Sequence, residues 1–103
     1  MKRLLWWLLA GSKGGINRAK IIKLIHERPY NANQLAEKLK LDYKTVRHHL
    51  KVLEDNNVIT SSGPGGKKYG VMYFLSTSMD MNYEIFEEIW VKIGKKEIKE
   101  KDR

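Results

Sequence analysis

Cysteine is absent from this 103-residue chain, so no disulfide framework, thiolate metal site or cysteine nucleophile is available to it. Proline is confined to Pro29 and Pro64. No repeat is visible, and no low-complexity tract extends beyond two glycine-rich turns. The longest apolar run, Leu4 to Ala10, falls far short of the roughly 20 residues that span a bilayer. Met1-Lys2-Arg3 before it and Ala10-Gly11-Ser12 after it imitate a signal peptide only faintly, because the run begins almost at the first residue. A buried or dimer-forming segment is the better reading of 1–10, and no membrane partner is expected. Acidic residues are scarce: 12 against 20 basic ones, for a formal charge of +8 and a pI near 9.7. A hydrophobic content of 42% is that of a globular protein and too high for a disordered tail. The length suits one domain. Such a domain favours polyanions, and charge alone does not choose between nucleic acid and an acidic membrane surface.

Gly11-Ser12-Lys13-Gly14-Gly15 lacks the spacing of a phosphate loop and reads as a flexible joint. A helix is expected from Arg18 to Arg28, with Asn17 as N-cap, Ile16 and Ile21 as a hydrophobic staple, and Pro29 as the stop. Asn31 and Gln34 have capping-box spacing before a second helix whose inner stripe is Leu35, Ala36 and Leu39. After a very short turn at Lys40-Leu41, Asp42 caps a third helix, Tyr43 to Asp55, which buries Val46, Leu50 and Leu53 and ends at Asn56-Asn57. The period then changes. Val58 to Ser62 and Tyr69 to Ser76 read as strands around Gly63-Pro64-Gly65-Gly66, with Tyr69, Val71, Tyr73 and Leu75 on one face. A last helix is expected from Asn82 to about Lys99, with Ile85, Phe86, Ile89 and Ile93 in one stripe and Trp90 flanking it.

Three helices followed by a hairpin is the winged helix-turn-helix order. The stretch Asn31 to Ile59 strongly resembles that family, and Thr45-Val46-Arg47-His48-His49-Leu50-Lys51-Val52-Leu53 is similar to the recognition helix of ArsR-type regulators. The resemblance covers about 17–76. It implies an α+β, mostly α fold with dimerisation helices at both ends, 1–10 and 82–100, around one winged-helix domain. It also implies a cytoplasmic, homodimeric regulator of transcription that binds double-stranded DNA. Lys40 and Asn57 depart from the pattern, since glycine is usual at both; Asn tolerates the left-handed backbone more willingly than Lys. The abundance of lysine and isoleucine, a single glutamine and the Leu-Leu-Trp-Trp-Leu-Leu start resemble archaeal members of the family.

The third helix carries its own physical argument. With Val46 at 0° and about 100° per residue, Leu50 and Leu53 fall within about 40° of it, while Lys44, His48 and Lys51 lie between about 140° and 200°. Arg47 stands at the edge of that outer strip. Such a row of donors suits the acceptors of a major groove, so Lys44, Arg47 and His48 are the expected base readers. Tyr43, Thr45 and Lys51 are expected at the DNA backbone. So are Arg18 and Lys20 near the first helix's start, and the wing lysines Lys67 and Lys68. Leu5, Trp6 and Leu9, with Ile85, Phe86, Ile89 and Trp90, are expected to form a homodimer interface; mutual cover within one chain is the alternative.

His49 lies on the flank of the core and reads as packed and hydrogen-bonded, and His26 as structural or surface. Without cysteine, and with no histidine after position 49, the family's metal-sensor patterns are missing, so no metal or cofactor is expected. No nucleophile–base pair or carboxylate pair stands at a usable spacing, which argues against an enzyme. The rival reading is a winged helix that docks on the transcription machinery rather than on DNA. A donor-rich outer face favours DNA over that rival. Operator, target genes and effector are not legible.

Overall fold

The computed structural model describes residues 1–62 and 70–94 in full and 95–101 as backbone. Its elements run α1 (Lys2–Leu9), α2 (Gly15–Glu27), β1 (Tyr30–Asn31), α3 (Ala32–Leu39), α4 (Tyr43–Asp55), β2 (Ile59–Ser61), β3 (Met72–Leu75), α5 (Thr77–Met81) and α6 (Tyr83–Lys101). The strands form one antiparallel sheet in the order β1-β3-β2. Tyr30 pairs with Tyr73 on one side, and Ile59 with Leu75 and Ser61 with Tyr73 on the other. The described part is a mostly helical winged helix-turn-helix with a small sheet.

Local chemistry sets the helix boundaries around the centre. Asn31 accepts from the Gln34 backbone N–H at 2.8 Å and donates its own backbone N–H to the Gln34 side chain at 2.9 Å, closing a full capping box. Lys40 (φ 56°) and Asn57 (φ 59°) both take left-handed backbone where α3 and α4 end. This geometry is why glycine is the usual residue at such positions. Proline at 29 follows a C-cap, Arg28, that is already extended.

Four expectations are corrected. The second helix starts earlier than Arg18: Gly14, not Asn17, is its N-cap, with a φ of 84°. The glycine-rich segment is a packed crossing rather than a flexible joint. A Cβ on Gly15 would overlap the Leu9 carbonyl, so glycine is what lets α2 begin against the end of α1. The sheet gains a strand, β1, and Ser76 caps a short helix, α5, accepting from the Met79 backbone N–H at 3.0 Å. Finally, the apolar ends cover one another. Leu5 and Leu9 of α1 and Phe86 and Ile89 of α6 are buried within the single chain.

The core is one cluster drawing on every element: Leu5, Leu8 and Leu9 from α1, Ile21, Ile22 and Ile25 from α2, Leu35 from α3, Val46, Leu50 and Leu53 from α4, Tyr30, Ile59 and Tyr73 from the sheet, Met79 from α5, and Phe86, Ile89 and Ile93 from α6. Each such side chain contributes about 1.5–3 kcal/mol on leaving water. That gain explains why the terminal helices fold back: α1 is short and apolar, and α6 carries an apolar stripe of Phe86, Ile89 and Ile93 that needs cover. Polar rims align them. His26 of α2 stacks on Tyr83 at 3.6 Å between ring centroids, Lys23 lies over the Trp90 ring, and Lys92 lies over Trp6.

Candidate nucleic-acid interface

α4 is held by its inner residues and presents its outer ones. Val46, His49, Leu50 and Leu53 are buried; Tyr43, Lys44, His48 and Lys51 are exposed; Thr45 and Arg47 are half-buried. Asp42 starts the helix, accepting from the backbone N–H groups of Lys44 and Thr45 at 3.4 Å and from the Thr45 hydroxyl at 3.0 Å. That carboxylate also suits the positive end of the helix dipole. Thr45, expected at the DNA backbone, is thus engaged in its own helix cap.

Arg47 does not hang free at the edge of the strip. Its Nη1 donates to the Tyr73 hydroxyl at 2.6 Å, linking α4 to β3. Burial raises the Tyr73 phenol above its ordinary range; the Arg47 charge opposes that rise and Glu54 adds to it. The phenol therefore stays a neutral hydroxyl in ordinary buffers. A groove of about 550 Å³ opens here, lined by Lys44, Arg47, His48, Lys51 and Tyr73 together with Glu54 and Asp55. Those acids are partly engaged: Glu54 accepts from the Ser61 hydroxyl at 2.8 Å, and Asp55 pairs with Lys51 at 3.1 Å. Lys51 thus shares its charge with Asp55. An exposed pair of this kind is worth little and is readily exchanged.

Arg18 is the clearest correction. It is 3% exposed, with no surface to offer a phosphate. Its Nε donates to the Leu8 carbonyl at 2.9 Å, its Nη2 to the Lys13 carbonyl at 3.0 Å and to the Ser12 hydroxyl, and its Nη1 faces His49 Nδ1 at 3.3 Å. The guanidinium fork suits several carbonyls at once, which is how a buried cation is made tolerable. His49 is packed and hydrogen-bonded. Burial first, then the charges of Arg18 and His48, hold its ring below the usual imidazole value. Lys20 is exposed on α2. Lys67 and Lys68 lie outside the described residues.

Of the expected interface residues, Leu5, Leu9, Phe86 and Ile89 are buried in the core of the single chain. Trp6, Ile85 and Trp90 are half-buried against that core. Among the described residues, the large hydrophobics that α1 and α6 leave exposed are Trp7 and Val91. The residue that sequence reasoning missed is Tyr73. Alternation groups it on one strand face with Tyr69, Val71 and Leu75, but no local signal pairs a strand tyrosine with a helix arginine 26 residues away. Among the described residues, no cluster of His, Asp or Glu could hold a metal ion, and no helix is long and apolar enough to cross a membrane.

Comparison with known proteins gives a consistent fold. The family model described as the bacterial regulatory protein, arsR family, matches residues 17–61. A ZitR variant from Lactococcus lactis superposes with a TM-score of 0.62 at 22% identity, over 84% of this chain and 57% of that one. Another ZitR variant has been solved in complex with DNA. HlyU from Vibrio cholerae gives 0.64 at 16% identity, over 87% and 92% of the two chains. The transcriptional regulator YodB from B. subtilis, in reduced form, gives 0.64 at 20%, over 82% and 81%. This chain thus spans little more than half the length of ZitR. No curated protein matches it.

Proposed function

We propose that this chain, an ArsR-like winged helix-turn-helix, is a regulator of transcription that binds double-stranded DNA sequence-specifically, as a homodimer in the cytoplasm. The observation that carries the reading is the outer strip of α4. Lys44, His48 and Lys51 point away from a core that fixes the helix, and Arg47 is braced beside them by Tyr73. The arsR-family match over the same residues supports it.

In this reading α4 enters the major groove. Lys44 and His48 reach base edges. Arg47 has five N–H donors and gives one to Tyr73, leaving the rest of the fork for guanine O6 and N7. Tyr43, Lys20 and Lys51 meet phosphates, and Lys67 and Lys68 grip the backbone from the wing. Two copies related by a two-fold axis place their recognition helices about 34 Å apart, one turn of DNA. Among the described residues, Trp7, Val91 and the half-buried Trp6, Ile85 and Trp90 offer apolar surface for pairing.

The test starts by selecting bound fragments from genomic DNA. Arg47→Ala should then weaken binding to the selected site by about 1–3 kcal/mol and relax its sequence preference. Competition binding that shows affinity and preference both unchanged removes Arg47 from base reading. Sedimentation at micromolar concentration tests the pairing, and a clean 12.1 kDa species sinks the homodimer.

A further inference from the structure

On the flank of α4 opposite Arg47 lies an open cleft of about 440 Å³, lined by Lys13, Gly14, Lys44, Thr45, His48 and His49. No acidic side chain lines it, unlike the Arg47–Tyr73 groove. Lys13, Lys44 and His48 stand exposed around it, while His49 is 5% exposed and forms a wall.

The direction of the His49 proton follows from its neighbour. Nδ1 faces the Arg18 guanidinium, which can only donate, so Nδ1 accepts and the neutral ring carries its hydrogen on Nε2. Among the described residues this Nε2–H has no hydrogen-bond partner, yet none of the buried side-chain nitrogens there is left unsatisfied. Nε2 is therefore not sealed in the core, and the ring that carries it lines the cleft. Gly14 packs closely against this ring, because a Cβ there would stand 2.6 Å from His49 Cε1. No side chain caps α2 at Gly14, which lines the same cleft.

We propose that this cleft seats a phosphate group, with His49 Nε2–H donating from the wall and Lys13 neutralising its charge from the α1–α2 turn. Donors converge from the α1–α2 turn and from α4, which suits a tetrahedral oxyanion better than a planar carboxylate. The group comes either from a phosphodiester of duplex DNA or from free inorganic phosphate. The duplex source rests on the DNA-binding reading; the phosphate site itself does not.

The experiment follows the imidazole nitrogens of the full chain by NMR during titration with inorganic phosphate, against chloride at matched ionic strength. A saturable shift of the His49 Nε2 signal that chloride does not produce is expected, and Lys13→Gln should weaken it about tenfold. Addition of duplex DNA then separates the sources. Displacement of phosphate from His49 identifies the DNA backbone as occupant, and retention of phosphate identifies a site for the free anion. Absence of a saturable His49 shift with either ligand overturns the proposal, as does a Lys13→Gln titration identical to the parent. A protein that binds DNA with His49 unmoved refutes the seat alone. One that binds phosphate at His49 and no DNA refutes the DNA-binding reading alone.

Discussion

Lys40 offers a quantitative test of how the turn between α3 and α4 is built. Its backbone sits at φ 56°, ψ 43°, a left-handed conformation that costs a side-chain-bearing residue about 1–2 kcal/mol. The residue is exposed, and among the described residues its side chain has no hydrogen bond or ion pair to lose. Lys40→Gly removes the strain and adds backbone freedom to the unfolded chain worth about 0.5–1 kcal/mol in the opposite direction. The net is a stabilisation of about 0.5–1 kcal/mol, which in a domain of this size raises Tm by about 3–6 °C. Urea unfolding at constant m-value, with calorimetry beside it, measures both figures. Asn57→Gly, at φ 59° but starting from a residue that tolerates this region, should gain less. A Lys40→Gly protein that is less stable than its parent, or an Asn57→Gly protein that gains more, refutes the strain argument. Either would mean that these side chains make contacts which the backbone angles do not reveal.

Arg18→Met keeps much of the length and removes the donors, leaving the Leu8 and Lys13 carbonyls without partners. It should cost about 2–4 kcal/mol, visible as a fall in Tm on the order of 10 °C or more, and an unchanged Tm would remove the guanidinium from the fold's supports. Acidification acts through His49. Its folded value lies below the usual imidazole value, so as pH falls through that usual value the unfolded chain takes up a proton that the folded one refuses. Stability should therefore decline from neutral pH toward the lower folded value and level off beneath it, with His49→Gln flattening the slope; a parent curve with no slope in that window contradicts the buried neutral ring. Tyr73→Phe removes the Arg47 anchor at a cost of about 1 kcal/mol in stability and should relax sequence preference less than Arg47→Ala does; equal preference in Tyr73→Phe and the parent shows that the brace is dispensable. Substituting both Lys67 and Lys68 with Ala should lower affinity for all sequences alike and reduce the salt slope by up to about two; an unaltered slope takes the wing off the backbone.

The centre of the fold was legible because its signals are local. Asn31 with Gln34, and Asp42 with Thr45, are caps closed within one turn, and the inner positions of α4 repeat at helical spacing. What escaped the sequence depends on partners far along the chain. Tyr30-Asn31 is a strand only because β3 arrives beside it, two residues being too few to announce themselves. Arg18 near the start of a basic helix reads as a surface charge. Only the crossing of α1 over Gly15 reveals the carbonyls that make its burial tolerable. The apolar ends were read rightly as needing cover. Composition could not decide between cover by a twin and cover by each other, since Leu5 and Phe86 look alike in either case. The structure answers for these two side chains, and the edges around them carry what pairing remains.

One consequence of the Arg18 cluster reaches beyond stability. The same guanidinium grips the last turn of α1 through the Leu8 carbonyl and touches the back of the recognition helix through His49. It works as a mechanical coupling with two jaws. α1 cannot slide along α2 without breaking its Leu8 contact or shifting the side chain that also touches α4. One residue of α2 thus joins the end of α1 to the back of α4.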